Sequence, residues 1–280
     1  MHIGIVGNGF VGQATALLKN PDLNVLIYDR DPKKCDPQNI KLDDLKKCSL
    51  IFVSVPTPMK DNGECYLGIV EEVINTLKKI IDYKKTDIIL RSTVPPGTSE
   101  KLGVYFMPEF LTEKNWKNDF KNCENWIFGL KNIDNDEAFK KKIESLISLA
   151  FKYNMINYNS IKYVNTNEAE MIKYFRNVFL AIKVGVCNEI ENFCNLSKIN
   201  YDKIREIGCL DTRITESHTK VPGPDGKKGF GGTCFPKDIN SLRYEMSKVG
   251  MEPIILESVI HRNNTIDRPN DKLEKGRAIV

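Results

Sequence analysis

The stretch HIGIVGNGFVGQATALLKN, residues 2–20, decides the fold. It opens with a short apolar run ending on glycine, the pattern of a buried strand. Gly7-Asn8-Gly9-Phe10-Val11-Gly12 follows, and then a helical pattern. This is G-x-G-x-x-G set between a strand and a helix. Gly7 allows the tight turn, Gly9 lets a pyrophosphate approach the backbone, and Gly12 lets the helix pack on the strand. The N–H groups and the positive dipole end of such a helix suit phosphates. A second predicted strand, NVLIYD (24–29), ends in Asp29, about 20 residues on, where a carboxylate can bind the ribose hydroxyls. Asp29 would repel a 2′-phosphate, which favours NAD over NADP. Arg30, Lys33 and Lys34 follow closely and reduce that preference slightly. The competing reading is a glycine turn in a nucleotide-free α/β fold; the flanks and Asp29 weigh against it. The expected cofactor-binding residues here are Gly7, Gly9, Phe10, Val11, Gly12, Asp29 and Lys34.

The alternation of strands and helices continues outward from this motif. Residues 42–48 read as a short helix, SLIFVSV (49–55) as a buried strand and 68–82 as an amphipathic helix. TDIILRST (86–93) reads as a strand, PPGTSEKL (95–102) as the opening of a helix and VYFMP (104–108) as a strand. WIFGL (126–130) and a helix over 136–152 complete the series. This pattern predicts a parallel, doubly wound sheet with ligands at the carboxyl ends of its strands. Thr57, Thr93 and Glu109 fall at such ends. Capping of the next helix is the plain alternative for each.

From about residue 165 the pattern changes. Residues 167–199 keep apolar positions at helical spacing with no proline. A helix of that length runs about 45 Å, a length suited to joining two domains and building a dimer interface. Lys173 and Asn177, four apart, share one face of it. Residues 200–214 read as a capped helix and turn, 218–234 as a glycine-rich loop, 235–250 as a helix after Pro236, and 252–266 as another. The polar segment 270–280 is expected to fray. The expected architecture is a Rossmann NAD-binding domain over 1–165, a helical central domain over 166–268 and a polar tail over 269–280.

Composition narrows the class. The chain has 280 residues, 41% hydrophobic and 28% charged, with a net charge of +4. The charges are interspersed, which does not suggest nucleic-acid binding. No apolar run approaches the roughly 20 residues of a membrane span. The N-terminus lacks a basic n-region, so a cytoplasmic location is expected. Eight cysteines form no C-x-x-C pair and only three histidines are present, so neither a metal site nor a disulfide framework is expected.

The chemistry centres on GFGGTCFPKD, residues 229–238. Cys234 lies between a glycine-rich turn and a Pro-Lys-Asp step, where the backbone can approach a ligand. His2, His218 and His261 are poor candidates for a dehydrogenase base, and the two Y-x-x-x-K matches, at Tyr158 and Tyr244, are poorly placed. A thiolate at Cys234 could attack an aldehyde, lose a second hydride to a thioester, and be released by water. Lys237 would favour the thiolate, while Asp238 would oppose it or act as a base.

Seven ordered motifs resemble the UDP-glucose/GDP-mannose dehydrogenase family: GNGFVG (7–12), VPTP (55–58), STVPPG (92–97), PEFLTE (108–113), NEAEMIKYFRN (167–177), DTRI (211–214) and GFGGTCFPKD. The resemblance implies NAD-dependent, four-electron oxidation of a nucleotide sugar, with UDP-glucose to UDP-glucuronate the first expectation. GDP-mannose, a UDP-N-acetylhexosamine and a low-activity binding protein are the alternatives. By motif, Cys234 is implied as the nucleophile. Lys173 and Asn177 are implied as the pair that stabilises oxyanions and orients substrate, and Asp238 as the partner of a water or base. Glu113 and Thr93 are implied to activate and hold the hydrolytic water, close to the cofactor. Thr57 and Lys237 resemble cofactor contacts. Glu109, Phe110, Leu111, Phe230 and Gly231 resemble substrate contacts, and Arg213 an arginine that reaches the substrate of the neighbouring subunit in a homodimer. The family's third domain would begin about where the chain ends. The segment between Arg213 and Phe230 is longer than the family leads one to expect, with VPGPDGKK inserted. Lys227 or Lys228 of that insertion is expected to reach the nucleotide.

Overall fold

Both faces of strand β1 (His2–Val6) are buried: Ile3 and Ile5 join one apolar layer and Val6 joins another. A strand buried on both sides belongs in the middle of a sheet covered by helices twice over. The computed structural model, which describes residues 1–280, has this arrangement. The other strands are β2 (Asn24–Tyr28), β3 (Leu50–Val53), β4 (Asp87–Leu90), β5 (Tyr105–Phe106), β6 (Asn125–Leu130) and β7 (Ser160–Asn165). They form one sheet in the order β2-β1-β3-β4-β5-β6-β7. The order reverses between β1 and β3, which is the crevice where such sheets bind ligands.

The two apolar layers come from period-two alternation in the strands meeting period-3.6 stripes on the helices. Phe52 and Ile89 face the layer filled by Phe139, Ile143 and Leu146 of α5 (Glu137–Lys152) and Ala14 of α1 (Phe10–Ala16). Ile51, Val53 and Leu90 face Val70, Ile74 and Leu77 of α2 (Gly68–Ile80).

The sheet departs from the all-parallel expectation at one pair. β5 and β6 are antiparallel, whereas β6 and β7 are again parallel. The link between β5 and β6 contains only the six-residue α4 (Trp116–Lys121), not a helix that returns along the sheet. The chain therefore re-enters at the end it left. The carboxyl ends of β1, β3, β4 and β5 remain on one edge, followed by the glycine turn, Thr57, Thr93 and Glu109.

Contacts divide the chain into two units, Met1–Thr57 with Leu67–Lys173, and Pro58–Tyr66 with Tyr174–Val280. The boundary falls within α6 (Thr166–Leu196), a single helix of 31 residues. The second unit adds α7 (Tyr201–Gly208), α8 (Cys234–Lys248) and α9 (Ile254–Arg262), followed by a π-helical turn, Asn263–Asp267. The buried hydroxyls of Tyr174 on α6 and Ser241 on α8 hydrogen-bond at 2.8 Å. Arg243 of α8 donates to the Asn62 carbonyl at 2.7 Å, which brings the short 58–66 segment into this unit. The segment expected to fray is instead paired. Met59 N donates to Ala278 O at 2.9 Å, Val280 N donates to Met59 O at 3.0 Å, and Ala278 is buried. No helix is long and apolar enough to cross a membrane.

In the first unit, the start of α6 is held to the loop after β4. The buried Glu170 carboxylate accepts from Gly97 N and Ser99 N, both at 2.7 Å, at the entry to α3 (Thr98–Lys101). Burial pushes this carboxyl up to about 7 against the pull of those amide hydrogen bonds. The native state thus keeps a proton that the unfolded chain releases near pH 4.5, its ordinary value. Stability from this group is lost as pH rises from about 4.5 to about 7, by roughly 3 kcal/mol. Glu170→Gln should flatten that part of the curve, measured by urea unfolding of both proteins at about pH 5 and about pH 7.5.

Candidate active site

The glycine turn after β1 is built by contacts that only glycine permits. Gly7 has a φ of +93°, and a Cβ there would lie 2.3 Å from the Ser54 carbonyl oxygen. A Cβ on Gly12 would lie 2.0 Å from Gly7 O, so helix and strand meet without room for a methyl. Gly9 is different: a Cβ there meets nothing within 4 Å. Its bareness serves no packing within the chain and fits a phosphate-bearing ligand instead.

Asp29 lies just beyond β2, with one carboxylate oxygen accepting from Asn8 N at 2.7 Å and the other from Asp31 N at 2.9 Å. A carboxylate has about four lone-pair sites, so ribose hydroxyls can still be accepted there. Asn8 Oδ1 is buried without a hydrogen-bond partner, and Lys34 O accepts from Asn8 Nδ2 at 2.6 Å. The Lys34 side chain itself is on an exposed residue. These features fit a dinucleotide. The loops beyond β3 and β4 are clasped together, since Ser92 Oγ donates to Val55 O at 2.7 Å and accepts from Val55 N at 2.9 Å. This clasp fixes the segments leading to the buried Thr57 and half-buried Thr93.

Glu109 and Lys173 form a buried ion pair. The Lys173 ammonium donates to Glu109 Oε1 and to Glu109 O, each at 2.7 Å, with the two side chains 3% and 6% exposed. Leu111 N donates to the other Glu109 oxygen at 2.8 Å, so one carboxylate shapes the PEFL turn and seats the lysine. Phe110 lies beneath the ammonium, 5.8 Å from ring centre to Nζ. Glu113, four residues after Glu109, is exposed.

In the second unit, Cys234 is the first residue of α8 rather than lying ahead of it. Pro236 sits in the first turn, where its missing N–H costs nothing. The half-buried thiol therefore stands at a helix N-terminus, where the exposed backbone N–H groups favour negative charge. Asp238, one turn on, is buried and accepts from Lys237 Nζ at 2.5 Å and from Asn177 Nδ2 at 2.6 Å. Burial alone would pull the Lys237 ammonium down. The Asp238 charge and the Cys65 and Cys234 sulfurs outweigh it and raise the lysine, keeping a cation beside the thiol. Burial pushes the Cys65 thiol up to about 11. Cys234, Lys237, Asp238 and Asn177 thus form one connected cluster.

Three expected residues are engaged in ion pairs of their own. Arg213 is 87% exposed and paired with Asp211 at 2.5 Å. Lys227 and Lys228 of the inserted segment pair with Asp271 at 2.8 Å and with Glu191 at 2.5 Å. The buried Phe230 and its neighbour Gly231 precede the cysteine, with Phe230 held by Asn263 through both N–H and carbonyl, at 2.8 and 3.1 Å. No motif announces Asn263, which lies 33 residues downstream.

The glycines provide a clean test. Gly9→Ala should fold like the parent, with Tm within about 2 °C, yet weaken NAD binding about tenfold or more. Gly12→Ala should lose roughly 1–3 kcal/mol of stability because backbone must move. Calorimetric titration and thermal melts separate the two outcomes.

Comparison with known proteins bears on the same residues. The NAD-binding-domain model of the UDP-glucose/GDP-mannose dehydrogenase family matches residues 38–147, and its central-domain model matches 167–265. The UDP-glucose 6-dehydrogenase of Rickettsia prowazekii is 29% identical over 315 aligned positions, covering 98% of this chain and 69% of that protein. The solved UDP-glucose dehydrogenase of Pyrobaculum islandicum superposes with a TM-score of 0.79 at 22% identity, over 94% of this chain and 68% of that one, and shares the fold. The GDP-mannose dehydrogenase of Pseudomonas aeruginosa gives 0.65 at 25% identity, over 95% and 69%. With its NAD-binding and central domains both matched, the chain belongs to the UDP-glucose/GDP-mannose dehydrogenase family and is an NAD-dependent dehydrogenase.

Proposed function

We propose that the chain oxidises the primary alcohol of a nucleotide sugar to a carboxylate, with UDP-glucose to UDP-glucuronate the first candidate. The observation that carries this reading is the cluster around Cys234: a thiol at a helix N-terminus, with the Lys237 ammonium and the Asp238 carboxylate in the next turn. The name of the Rickettsia relative supports the choice of sugar.

Bound NAD supplies the acceptor for the hydride of each oxidation. The first oxidation gives an aldehyde, and the alcohol proton passes to a base. The Cys234 thiolate then adds to the aldehyde carbon, forming a C–S bond and an oxyanion that takes a proton. Loss of the second hydride and of that proton leaves a thioester. Water adds to the thioester carbon, the C–S bond breaks, and acid and thiolate separate. Lys173 and Asn177, one turn apart on α6, stabilise the oxyanions and orient the sugar. The buried pairing with Glu109 keeps the Lys173 side chain fixed for that task. Asp238 holds the Asn177 amide and positions a water or base. Glu113 and Thr93 handle the hydrolytic water, and Phe230 and Gly231 contact the substrate.

A homodimer forms through α6 in this reading. Phe175, Phe179, Val186, Ile190 and Phe193 are exposed, and at 100° per residue they fall within an arc of about 60°. Such a stripe on a soluble surface is covered by a partner. Arg213, exposed and paired only with its near neighbour Asp211, is placed on this reading at the neighbouring subunit's substrate.

Three measurements follow. With NAD and UDP-glucose, UDP-N-acetylglucosamine, UDP-N-acetylmannosamine or GDP-mannose, one sugar should yield twice its molar amount of NADH, read by absorbance. Cys234→Ser should abolish acid formation while NAD binding survives, and full activity in that variant would remove the mechanism. Phe179→Asp should shift the chain from dimer to monomer in sedimentation velocity, with the parent unchanged across the same concentrations.

A further inference from the structure

The loop ahead of Cys234 is tied down from a place the family motifs do not reach. Arg268 lies beyond the matched central domain, and its side chain is 5% exposed. Its Nε donates to Lys228 O at 2.7 Å, and Nη2 donates to Asp225 Oδ2 at 2.7 Å and to Gly229 O at 3.3 Å. Its Nη1 donates to Asp271 Oδ2 at 3.1 Å, and Lys227 closes the ring by pairing with the other Asp271 oxygen at 2.8 Å. The guanidinium also lies against Gly231, where a Cβ would come within 2.3 Å of Nη1. Asp225 and Lys227 belong to the inserted VPGPDGKK segment, and Arg268 and Asp271 to the segment after the π-helical turn.

A buried guanidinium is costly unless its charge and donors are matched. Here two carboxylates and two backbone carbonyls match it, so the loop loses its freedom by satisfying Arg268. We propose that Arg268 is a positioning residue: it locks residues 225–231 so that Phe230 and Gly231 present a preformed surface to the nucleotide sugar. This inference rests on the proposed function for the identity of the ligand. The lock itself does not. Arg268 touches no reacting atom, and its effect on the reaction runs through substrate affinity, because a loop ordered in advance does not lose its freedom on binding.

The test uses the full chain with Arg268→Ala, Arg268→Lys and Asp225→Asn. Hydrogen–deuterium exchange is followed over residues 223–232, and KM, kcat and NAD affinity are measured with whichever nucleotide sugar the parent oxidises. Loss of a charged hydrogen-bond network predicts a KM about tenfold higher in Arg268→Ala, with kcat and NAD affinity within about threefold of the parent. Exchange in the loop should accelerate, with Arg268→Lys and Asp225→Asn intermediate in both readouts. Unchanged KM and unchanged loop exchange would overturn the proposal. So would a parallel fall of kcat, NAD affinity and Tm, which marks a merely structural role. If the parent oxidises none of the sugars, the proposed function has failed and the lock is judged on exchange alone: faster exchange confined to the loop sustains it, and unchanged exchange overturns it.

Discussion

An ammonium group can be buried only where its charge and its N–H groups are answered, and the Lys173–Glu109 pair is where this chain meets that demand. Glu109 follows β5, Lys173 sits in α6, and each is unaffordable without the other. Removing either partner of such a pair leaves an uncompensated buried charge, a loss of about 3–5 kcal/mol. The pair therefore fixes where the helix lies against the end of its own sheet. The other α6 anchors act in the same unit: Glu170 on the loop after β4, and Ala169 within the apolar layer beside α2.

The second unit repeats the device with different chemistry. Asp238 is buried and takes one hydrogen bond from an ammonium and one from an amide. Its charge holds a cation beside the Cys234 sulfur, while the α8 N-terminus adds the partial positive charge of its backbone. Two consecutive residues, Lys237 and Asp238, thereby set the electrostatics of the thiol from inside the fold. The glycine-rich loop ahead of the cysteine is held by hydrogen bonds to Asn263 and Arg268.

Much of this was legible in the chain. The dinucleotide turn, the long helix and the cysteine within glycines each rest on local patterns: a period-two run before G-x-G-x-x-G, apolar positions at helical spacing, and turn residues in fixed order. β7 and α4 escaped because neither has a strong pattern. β7 is an edge strand with a half-exposed face, and α4 is too short to show a period. The antiparallel β5–β6 pair escaped because direction depends on where a loop returns, which no local pattern records. α8 starts two residues ahead of Pro236, since a first-turn proline is compatible with a helix and marks no boundary.

What the sequence by itself determined was the set of chemical groups and the local elements that carry them, since propensity and periodicity act over a few residues. Tertiary structure alone decided their partners. Lys173 meets Glu109 across 64 residues, Asn177 meets Asp238 across 61, and Arg268 meets Asp225 across 43. The reason is physical: a buried charge or amide takes whichever complementary group the packed backbone brings within about 3 Å, and that proximity is created by the fold as a whole. Lys227 and Lys228 illustrate the difference, since their charge is plain in the sequence, while their commitment to Asp271 and Glu191 exists only in three dimensions.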